Sequence, residues 1–500
     1  MTDPQAPLSR RESREAAARG AKRPPAVSRV TQAAPKPAGI RGFVAAHRTG
    51  LIVGASVLAF VLVATGALYA GAIVGSRAGD EQGPGDTGVD AGRVVPVDVA
   101  EPSRLRTCTV APLAADPRLV GFTGAVTNAS TGAVLFDRGA TTASSPAGVS
   151  KVLTAAAAIS VLGADSTLST RVYQGSTPTT IVLVGGGDPT ITALTGGESV
   201  YAGAPRLSVL ADKVRDSYPG DIDDIENIVL DSTLWPESDK WDVSWPRTAQ
   251  SRGTLSEVTA LQIDGDRANP GEQTSPRSTD PVARAGVLFA EALDLDPDDI
   301  TFSRGSAITS KPLLGEVASQ PINVLVNQML MQNDSTLAEQ LARLVSKTTG
   351  YGGTAASLQQ AITSALAVFG VSTAGLAIYD GSGLSAATAI PPKFLADFMA
   401  KVLDGGNNLN YVYNSLPVAG KSGSLAARFT GDSAAARNQV MALPGSLGGY
   451  GLAGIVLSVD GTPLSFSFAA TGAGVKDDAR VALDVLATGI FACGDNLSNN

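Results

Sequence analysis

The 500-residue sequence predicts a mixed α/β (α+β) globular region that follows one transmembrane helix. Strand-like runs stand at both ends of the region after residue 105, and helical segments lie between them, an order that suits helices packed on a sheet. The composition allows a large buried core, because 44% of the residues are hydrophobic and only 17% are charged.

The N-terminal part predicts a membrane anchor. No charged residue occurs between Arg48 and Arg77, and the apolar run 51–74 is longer than the roughly 20 residues that span a bilayer. Ten Lys and Arg against three Asp and Glu in residues 1–50 place the preceding segment in the cytoplasm. The predicted segments are a basic cytoplasmic tail, a transmembrane helix and a flexible linker (1–48, 49–75 and 76–104).

This topology places the globular region outside the cell, on a single-pass protein of the cell membrane. A cleaved signal peptide is the alternative, but such peptides have apolar cores of only 7–15 residues. The basic tail beside an apolar run is typical of a topology signal that attracts anionic lipid, so we expect no nucleic-acid partner.

Beyond residue 105, hydrophobic periodicity and turn residues define the elements in order. An Asp460-Gly461 turn between apolar runs predicts a C-terminal hairpin. The predicted strands are 124–128, 133–136, 181–184, 228–230, 454–459 and 464–468. The predicted helices are 151–162, 282–293, 322–331, 337–345, 357–368, 393–403 and 479–490.

Scarce residue types limit the possible chemistry. The single histidine, His47, precedes the apolar run, so the outer region has no Ser-His or Cys-His pair and no histidine ligand for a metal. Cys108 and Cys493 are too few for a four-cysteine zinc site, and we expect neither a metal nor a cofactor. In an oxidising compartment these two cysteines predict a disulfide between the ends of the region, with two buried free thiols as the alternative.

Six short stretches of the outer region together form a specific pattern. They are Pro146–Ala158, Gly185–Thr190, Ser319–Val326, Leu337–Leu341, Asp380–Ser385 and Leu416–Gly420. The pattern resembles the class C low-molecular-mass penicillin-binding proteins, the D-alanyl-D-alanine carboxypeptidase/endopeptidase family, over nearly all of residues 108–493. The resemblance implies a penicillin-binding-protein/serine β-lactamase-like domain (105–165 and 281–495) that is interrupted by an inserted domain (166–280).

The resemblance also implies a serine acyltransferase that acts on peptidoglycan through three motifs. In Ser-x-x-Lys the two side chains stand one helical turn apart, so the amine can activate the hydroxyl. Ser-x-Asn places a hydroxyl and an amide over the pocket. In Lys-Thr-Gly, a lysine on a strand attracts the carboxylate of the substrate, and nearby backbone N–H groups help to form an oxyanion hole.

The first two motifs are altered in this sequence. Lys151 is present, but Gly148 stands where the nucleophilic serine is expected, and a glycine cannot form an acyl-enzyme. The second motif corresponds to Asn333-Asp334-Ser335, in which the outer residues are exchanged.

The third motif has two possible registers. The alignment that we prefer replaces Lys-Thr-Gly by Leu443-Pro444-Gly445, followed by Ser446. Leucine cannot attract a carboxylate, and proline removes a backbone donor from the strand. In the alternative register the lysine is Lys421, in Lys421-Ser-Gly-Ser424.

Three altered motifs predict a degenerate homologue of the cell-wall carboxypeptidases that lacks peptidase activity. Its partners would be a peptidoglycan stem peptide, held near Gly148, Lys151, Asn333 and Ser335, or proteins of wall synthesis. One alternative is a working carboxypeptidase that uses Lys421 with Ser145 or Ser150 as nucleophile. A further alternative is a module that only anchors the protein to the wall.

Overall fold

The computed structural model describes residues 105–446 and 448–499. Its strands are β1 (Cys108–Thr109), β2 (Phe122–Asn128), β3 (Val134–Arg138), β4 (Ser169–Gln174), β5 (Thr180–Val184), β6 (Asn227–Asp231), β7 (Thr301–Arg304), β8 (Leu313–Ala318), β9 (Val440–Gly445), β10 (Tyr450–Leu457), β11 (Pro463–Ala470) and β12 (Leu497–Ser498). Its α-helices are α1 (Ala111–Ala114), α2 (Lys151–Leu162), α3 (Leu207–Ser217), α4 (Thr248–Ser251), α5 (Pro281–Ala292), α6 (Ile322–Gln332), α7 (Ser335–Thr348), α8 (Leu358–Leu366), α9 (Pro392–Asp404), α10 (Leu409–Asn414) and α11 (Ala479–Cys493).

The first sheet joins the two ends of the described chain. Its five antiparallel strands have the order β3-β2-β11-β10-β9, which leaves β9 at one edge. Alternate residues of β10 face opposite sides, because side chains alternate along a strand. Leu452 and Val456 pack with α11, whereas Ala453 and Ile455 join a helical core. The sheet therefore lies between α11 and that core, in the mixed α/β class that the sequence predicts.

A cluster of helices forms the core on the second face of this sheet. The apolar residues of α2, α6, α7, α8 and α9 belong to one continuous buried cluster. The Ala-rich α2 lies at its centre, and all nine residues from 151 to 159 are buried. The small alanine side chains allow neighbouring helices to approach α2 closely. The first residue of α2, Lys151, is likewise almost completely buried.

A second sheet is built from residues on both sides of position 280, the predicted end of the insertion. This five-stranded sheet has the order β7-β6-β5-β4-β8, in which β7 pairs with β6 in parallel and β8 pairs with β4 in antiparallel fashion. Helix α5 packs its apolar face on this sheet. The strands of this sheet lie between Ser169 and Ala318, a stretch that we call the inserted segment, and the two ends of that stretch meet where Ser319 N donates to Leu168 O (2.8 Å). Periodicity identified α5 as a helix but carried no information about which sheet it covers.

The ends of the described region are joined covalently, as predicted. Cys108 and Cys493 form a disulfide, with their Cα atoms 5.5 Å apart. Strands β1 and β12 pair beside it.

The predicted tail, transmembrane helix and linker (1–48, 49–75 and 76–104) lie outside the described residues. Within residues 105–446 and 448–499, no helix has the length and apolar character needed to cross a bilayer.

Candidate active site

A cavity of about 370 Å³ opens where the start of α2, the α6–α7 junction, the end of β9 and the inserted segment meet. Its lining is mostly polar and carries several cations. The polar and charged residues of the lining include Lys151, Arg252, Arg267, Gln273, Arg277, Asn333, Asp334, Ser335, Ser424 and Ser446. A larger groove, of about 780 Å³, lies beside α9 and contains none of the predicted motif positions. The smaller cavity is therefore the candidate active site.

Lys151 projects into this cavity from the first position of α2. Its side chain is almost completely buried, and Nζ donates a hydrogen bond to Ser382 O at 3.0 Å. Burial lowers the pKa of Lys151 to about 8, although the negative charges of Asp380 and Glu339 oppose this shift. The amine therefore gives up its proton more easily than an exposed lysine does, as the activating base of an acyltransferase should.

The position that should carry the nucleophile faces β9 without a side chain. Ala147 and Gly148 both have positive φ angles, +52° and +92°. A methyl group placed on Gly148 would lie 3.6 Å from Gly445 Cα and 3.8 Å from Ser446 N, so there is room for a side chain. Because Gly148 has no side chain, position 148 offers no hydroxyl beside the backbone of β9, and Gly148 is not among the residues that line the cavity.

Strand β9 brings the third motif against this loop. Leu443 is fully buried in the helical core, and a side chain at Gly445 would come within 1.9 Å of Ala147 O. Pro444 is tolerated because β9 is an edge strand. The strand thus approaches the N-terminal end of α2 closely, but it presents no cation there.

Comparison with known proteins identifies the family. The model of the D-Ala-D-Ala carboxypeptidase 3 (S13) family matches residues 107–273 and 250–490. The chain is 33% identical to carboxypeptidase DacB of Mycolicibacterium smegmatis over 458 residues, which are 89% of this chain and 97% of that relative. It is 34% identical to carboxypeptidase Rv3627c of Mycobacterium tuberculosis over 462 residues, again 89% of this chain and 97% of the relative.

The chain belongs to the D-Ala-D-Ala carboxypeptidase S13 family.

The fold agrees with this assignment. The crystal structure of penicillin-binding protein 4 (dacB) from Haemophilus influenzae superimposes with a TM-score of 0.61 at 18% identity, covering 73% of this chain and 95% of that one. The penicillin-binding-protein fold predicted from the sequence is therefore confirmed.

The second S13 motif position lies at the α6–α7 junction. Asn333 ends α6 in the left-handed conformation, and its Nδ2 donates to Pro444 O at 3.1 Å. Asp334 caps α7 by accepting from Leu337 N, so α7 begins at Ser335 and not at 337 as predicted. Asn333 and Ser335 thus both line the cavity, with Asn333 also hydrogen-bonded to the strand of the third motif.

The structure does not bring together the residues that a working carboxypeptidase would use in the alternative hypothesis. Lys421 is exposed in a turn and does not line the cavity. Ser150 Oγ is buried against Gly383 without a hydrogen-bond partner, and Ser145 Oγ accepts from Ala147 N at 3.3 Å. Neither serine lines the cavity that contains Lys151.

Two further carboxylates behind Lys151 were not predicted as site residues. Glu339 accepts hydrogen bonds from Gly381 N and Ser382 N, at 3.2 and 2.7 Å. Asp380 accepts from Gly383 N and from Trp245 Nε1. Burial and the neighbouring Asp380 raise the pKa of Glu339 to about 7. Helical periodicity shows only that Glu339 lies in an amphipathic helix, and nothing in the sequence pairs it with the 380–385 loop.

Sequence reasoning also missed the arginines of the inserted segment. Arg267 is fully buried and donates to Asp334 Oδ2 at 2.7 Å and to Tyr201 Oη at 2.8 Å. Burial alone would raise the pKa of Asp334, but Arg267 and Arg277 lower it to about 2. The sequence indicates these arginines only through a cluster of charged residues at 264–277, and a solvent-exposed surface segment would have the same composition.

Across the part of the chain that the structure describes, no group of three His, Cys, Asp or Glu side chains could hold a metal ion.

Proposed function

We propose that this S13 family member is a catalytically inactive, membrane-anchored protein of the cell wall that holds a peptidoglycan stem peptide or a wall-synthesis protein. The observation that carries the proposal is Gly148: it stands three residues before Lys151, where the family's motif has its nucleophilic serine, and it has no hydroxyl. The cavity nevertheless keeps the amine of Lys151. Without that hydroxyl oxygen, no ester between substrate and enzyme can form.

The expected effect of losing the nucleophile on turnover is large enough to distinguish an inactive protein from a weakly active one. Removal of the nucleophile from a serine protease lowers turnover by about 10⁶-fold, or about 8 kcal/mol. Here the lysine of the third motif is also replaced, by the buried Leu443. A neighbouring water cannot restore covalent catalysis, so we expect no turnover above background.

A binding role remains compatible with the same cavity. It is open to solvent, and several of its buried polar atoms have no partner within the described chain, including Asn333 Oδ1 and Ser424 Oγ. Unpaired buried polar atoms are costly unless a ligand or water satisfies them. A peptide, with its alternating N–H and C=O groups, supplies suitable partners.

The anchoring part of the proposal rests on the apolar run 51–74 and its basic flank. If the protein is anchored as we propose, it stays with the membrane pellet at high salt and alkaline pH and is released only by detergent. Ala70-Gly71-Ala72 resembles the small-residue site at which signal peptides are cleaved. Recovery in the soluble fraction, with a new N-terminus directly after this site, contradicts the anchor and supports cleavage.

The activity is tested with two assays on the same purified full-length chain. D-alanine release from a D-Ala-D-Ala peptide is expected to remain at the background rate, while purified peptidoglycan is expected to retain the protein in a pull-down. Release of D-alanine contradicts the inactive assignment. Failure of the pull-down, with no release, removes the peptide-holding role and leaves a protein partner.

The second candidate is an active carboxypeptidase, and the relatives named carboxypeptidases favour it. It would need Ser145 or Ser150 as nucleophile and Lys421 to attract the substrate carboxylate. Sustained D-alanine release that is abolished by Ser150→Ala or Ser145→Ala supports this candidate.

A further inference from the structure

The cavity carries an excess of positive charge that its own carboxylate does not balance. Four cationic side chains line it, and the carboxylate among the lining residues is Asp334. Asp334 is already engaged, because Arg267 binds it at 2.7 Å. The remaining cations are Lys151, Arg252 and Arg277.

Arg277 is nearly buried and has no acidic partner. Its guanidinium donates to Gly253 O from Nε and Nη2 and to Gly265 O from Nη1. In residues 105–446 and 448–499 it forms no ion pair, and two of its five N–H groups have no acceptor. Burial and the nearby Arg267 lower the pKa of Arg277 to about 10, as expected for a buried cation without a carboxylate.

Arg252 supplies a second cation to the cavity. It follows the short helix α4, it is exposed, and its side chain makes no hydrogen bond or ion pair within the described part of the chain. Arg252 and Arg277 are both from the inserted segment and line the same cavity. Guanidinium groups bind carboxylates through paired, charge-assisted hydrogen bonds.

Uncharged acceptors beside these arginines indicate what the rest of the ligand must offer. Asn333 Oδ1 and Gln273 Oε1 are buried acceptors without a donor, and Ser424 Oγ is buried without any partner. All three side chains line the cavity. A ligand that satisfies them carries N–H groups as well as a carboxylate, which is the chemistry of an acidic peptide.

We infer that the inserted segment has taken over carboxylate recognition in this protein: Arg252 and Arg277 bind a carboxylate of a peptide held in the cavity. This inference rests on the proposed peptide-holding function and names the group that is recognised. It also explains how the cavity can select an anionic ligand although Leu443 stands where the motif lysine is expected.

The test compares matched peptides on the full-length chain by isothermal titration calorimetry. The probes are diacetyl-L-Lys-D-Ala-D-Ala as free acid, the same peptide as C-terminal amide, and an amidated analogue with a D-glutamate side chain. We expect the free acid to bind at least about tenfold more tightly than the amide, the range for charge-assisted hydrogen bonds. Tight binding of the glutamate analogue instead identifies a side-chain carboxylate as the group bound.

Variants assign the effect to the two arginines. Arg252→Gln is expected to reduce the preference for the acid over the amide in part, and Arg252→Glu is expected to abolish it. Arg277→Gln is expected to act similarly. Because this variant loses hydrogen bonds to the backbone, its folding is checked by circular dichroism. If it does not fold, the two Arg252 variants still test the inference. Arg304→Gln is the matched control, because Arg304 lies on β7 of the same inserted segment and does not line the cavity.

Each result bears on a different claim. Equal affinities for the acid and both amides overturn the inference and leave the peptide-holding function intact. A preference for carboxylate that survives Arg252→Glu also overturns the inference. If no peptide binds in any form, the inference and the peptide-holding function both fail.

Discussion

Two groups of residues meet at the same cavity and differ in what the fold requires of them. One is a buried charge network, and the other is the set of positions that would carry out acylation. The charge network is Lys151, Arg267, Asp334, Glu339 and Asp380. The acylation positions are Gly148, Leu443, Pro444 and Gly445.

The charge network ties separate segments of the chain together. Arg267 joins the inserted segment to the start of α7, and Glu339 holds the 381–382 backbone, which in turn accepts from Lys151. The acylation positions are held mainly by packing: Leu443 lies in the helical core, and Pro444 O accepts a hydrogen bond from Asn333 Nδ2. We therefore expect substitutions in the charge network to cost more stability than substitutions at the acylation positions.

The largest effect is expected from breaking the charge network at Arg267. Arg267→Met leaves the buried Asp334 carboxylate without its partner, and removal of one member of a buried ion pair typically costs about 3–5 kcal/mol. We therefore expect the free energy of unfolding, measured by urea denaturation, to fall by that amount.

The control for this variant is Arg304→Gln, which removes an exposed ion pair with Asp280 and should change the free energy of unfolding by under about 1 kcal/mol. If both variants have the same small effect, the charge network does not support the fold as we describe.

A smaller effect is expected from the pH dependence of Glu339. Its pKa is about 7 in the folded protein and about 4.3 in an unfolded chain, so the folded state binds more protons between these values. The contribution of Glu339 to stability is therefore fully present below about pH 4.3 and is lost as the pH rises through 7. In the wild-type protein the free energy of unfolding should therefore decline between pH 4.5 and 7.5. Glu339→Gln should make this decline smaller by about 1–3 kcal/mol.

Thermal unfolding across this pH range measures the change. Glu316→Gln serves as the control, because the side chain of Glu316 is partly exposed and its pKa is lowered, mainly by a hydrogen bond from Ser169. An unchanged pH profile in Glu339→Gln shows that the carboxylate is not held near its neutral form in the native state.

The smallest effect on stability is expected at the acylation positions. Gly148→Ser has room for its side chain but must adopt a φ of +92°, which costs about 1–2 kcal/mol for a residue with a Cβ. The variant should fold and still fail to react with a fluorescent penicillin, because Leu443 and Pro444 remain.

Gly375→Ser is the matched control for backbone strain, since Gly375 has a φ of +82° and open space around it. Labelling of Gly148→Ser at residue 148 is the contrary result, and it favours Lys421 as the motif lysine.

The sequence was sufficient to predict most elements near the site. The helix 151–162 was predicted with its observed bounds. The disulfide between Cys108 and Cys493 was predicted because the sequence has only these two cysteines and the predicted compartment is oxidising. Both depend on local composition or on few alternatives. Lys151 and Asn333 were placed in the cavity by resemblance to a family, not by periodicity.

Contacts between distant segments could not be predicted in this way. The pairing of β7 with β6 across position 280 could not be predicted, because parallel pairing leaves no mark in the sequence pattern of either strand. The ion pair of Arg267 with Asp334 joins residues 67 positions apart, and buried charges have the same sequence signature as surface charges until the fold is known. For the same reason Arg252 and Arg277 were not recognised as part of the site.

Intact-protein mass spectrometry after incubation with excess benzylpenicillin tests the central claim most directly. An active D-Ala-D-Ala carboxypeptidase treated in the same way provides the positive control. The account predicts that the mass of this chain stays unchanged, because Gly148, at the position of the family's nucleophilic serine, has no hydroxyl to be acylated. A covalent penicilloyl adduct on any serine of residues 105–499 contradicts it and identifies the protein as a working serine enzyme.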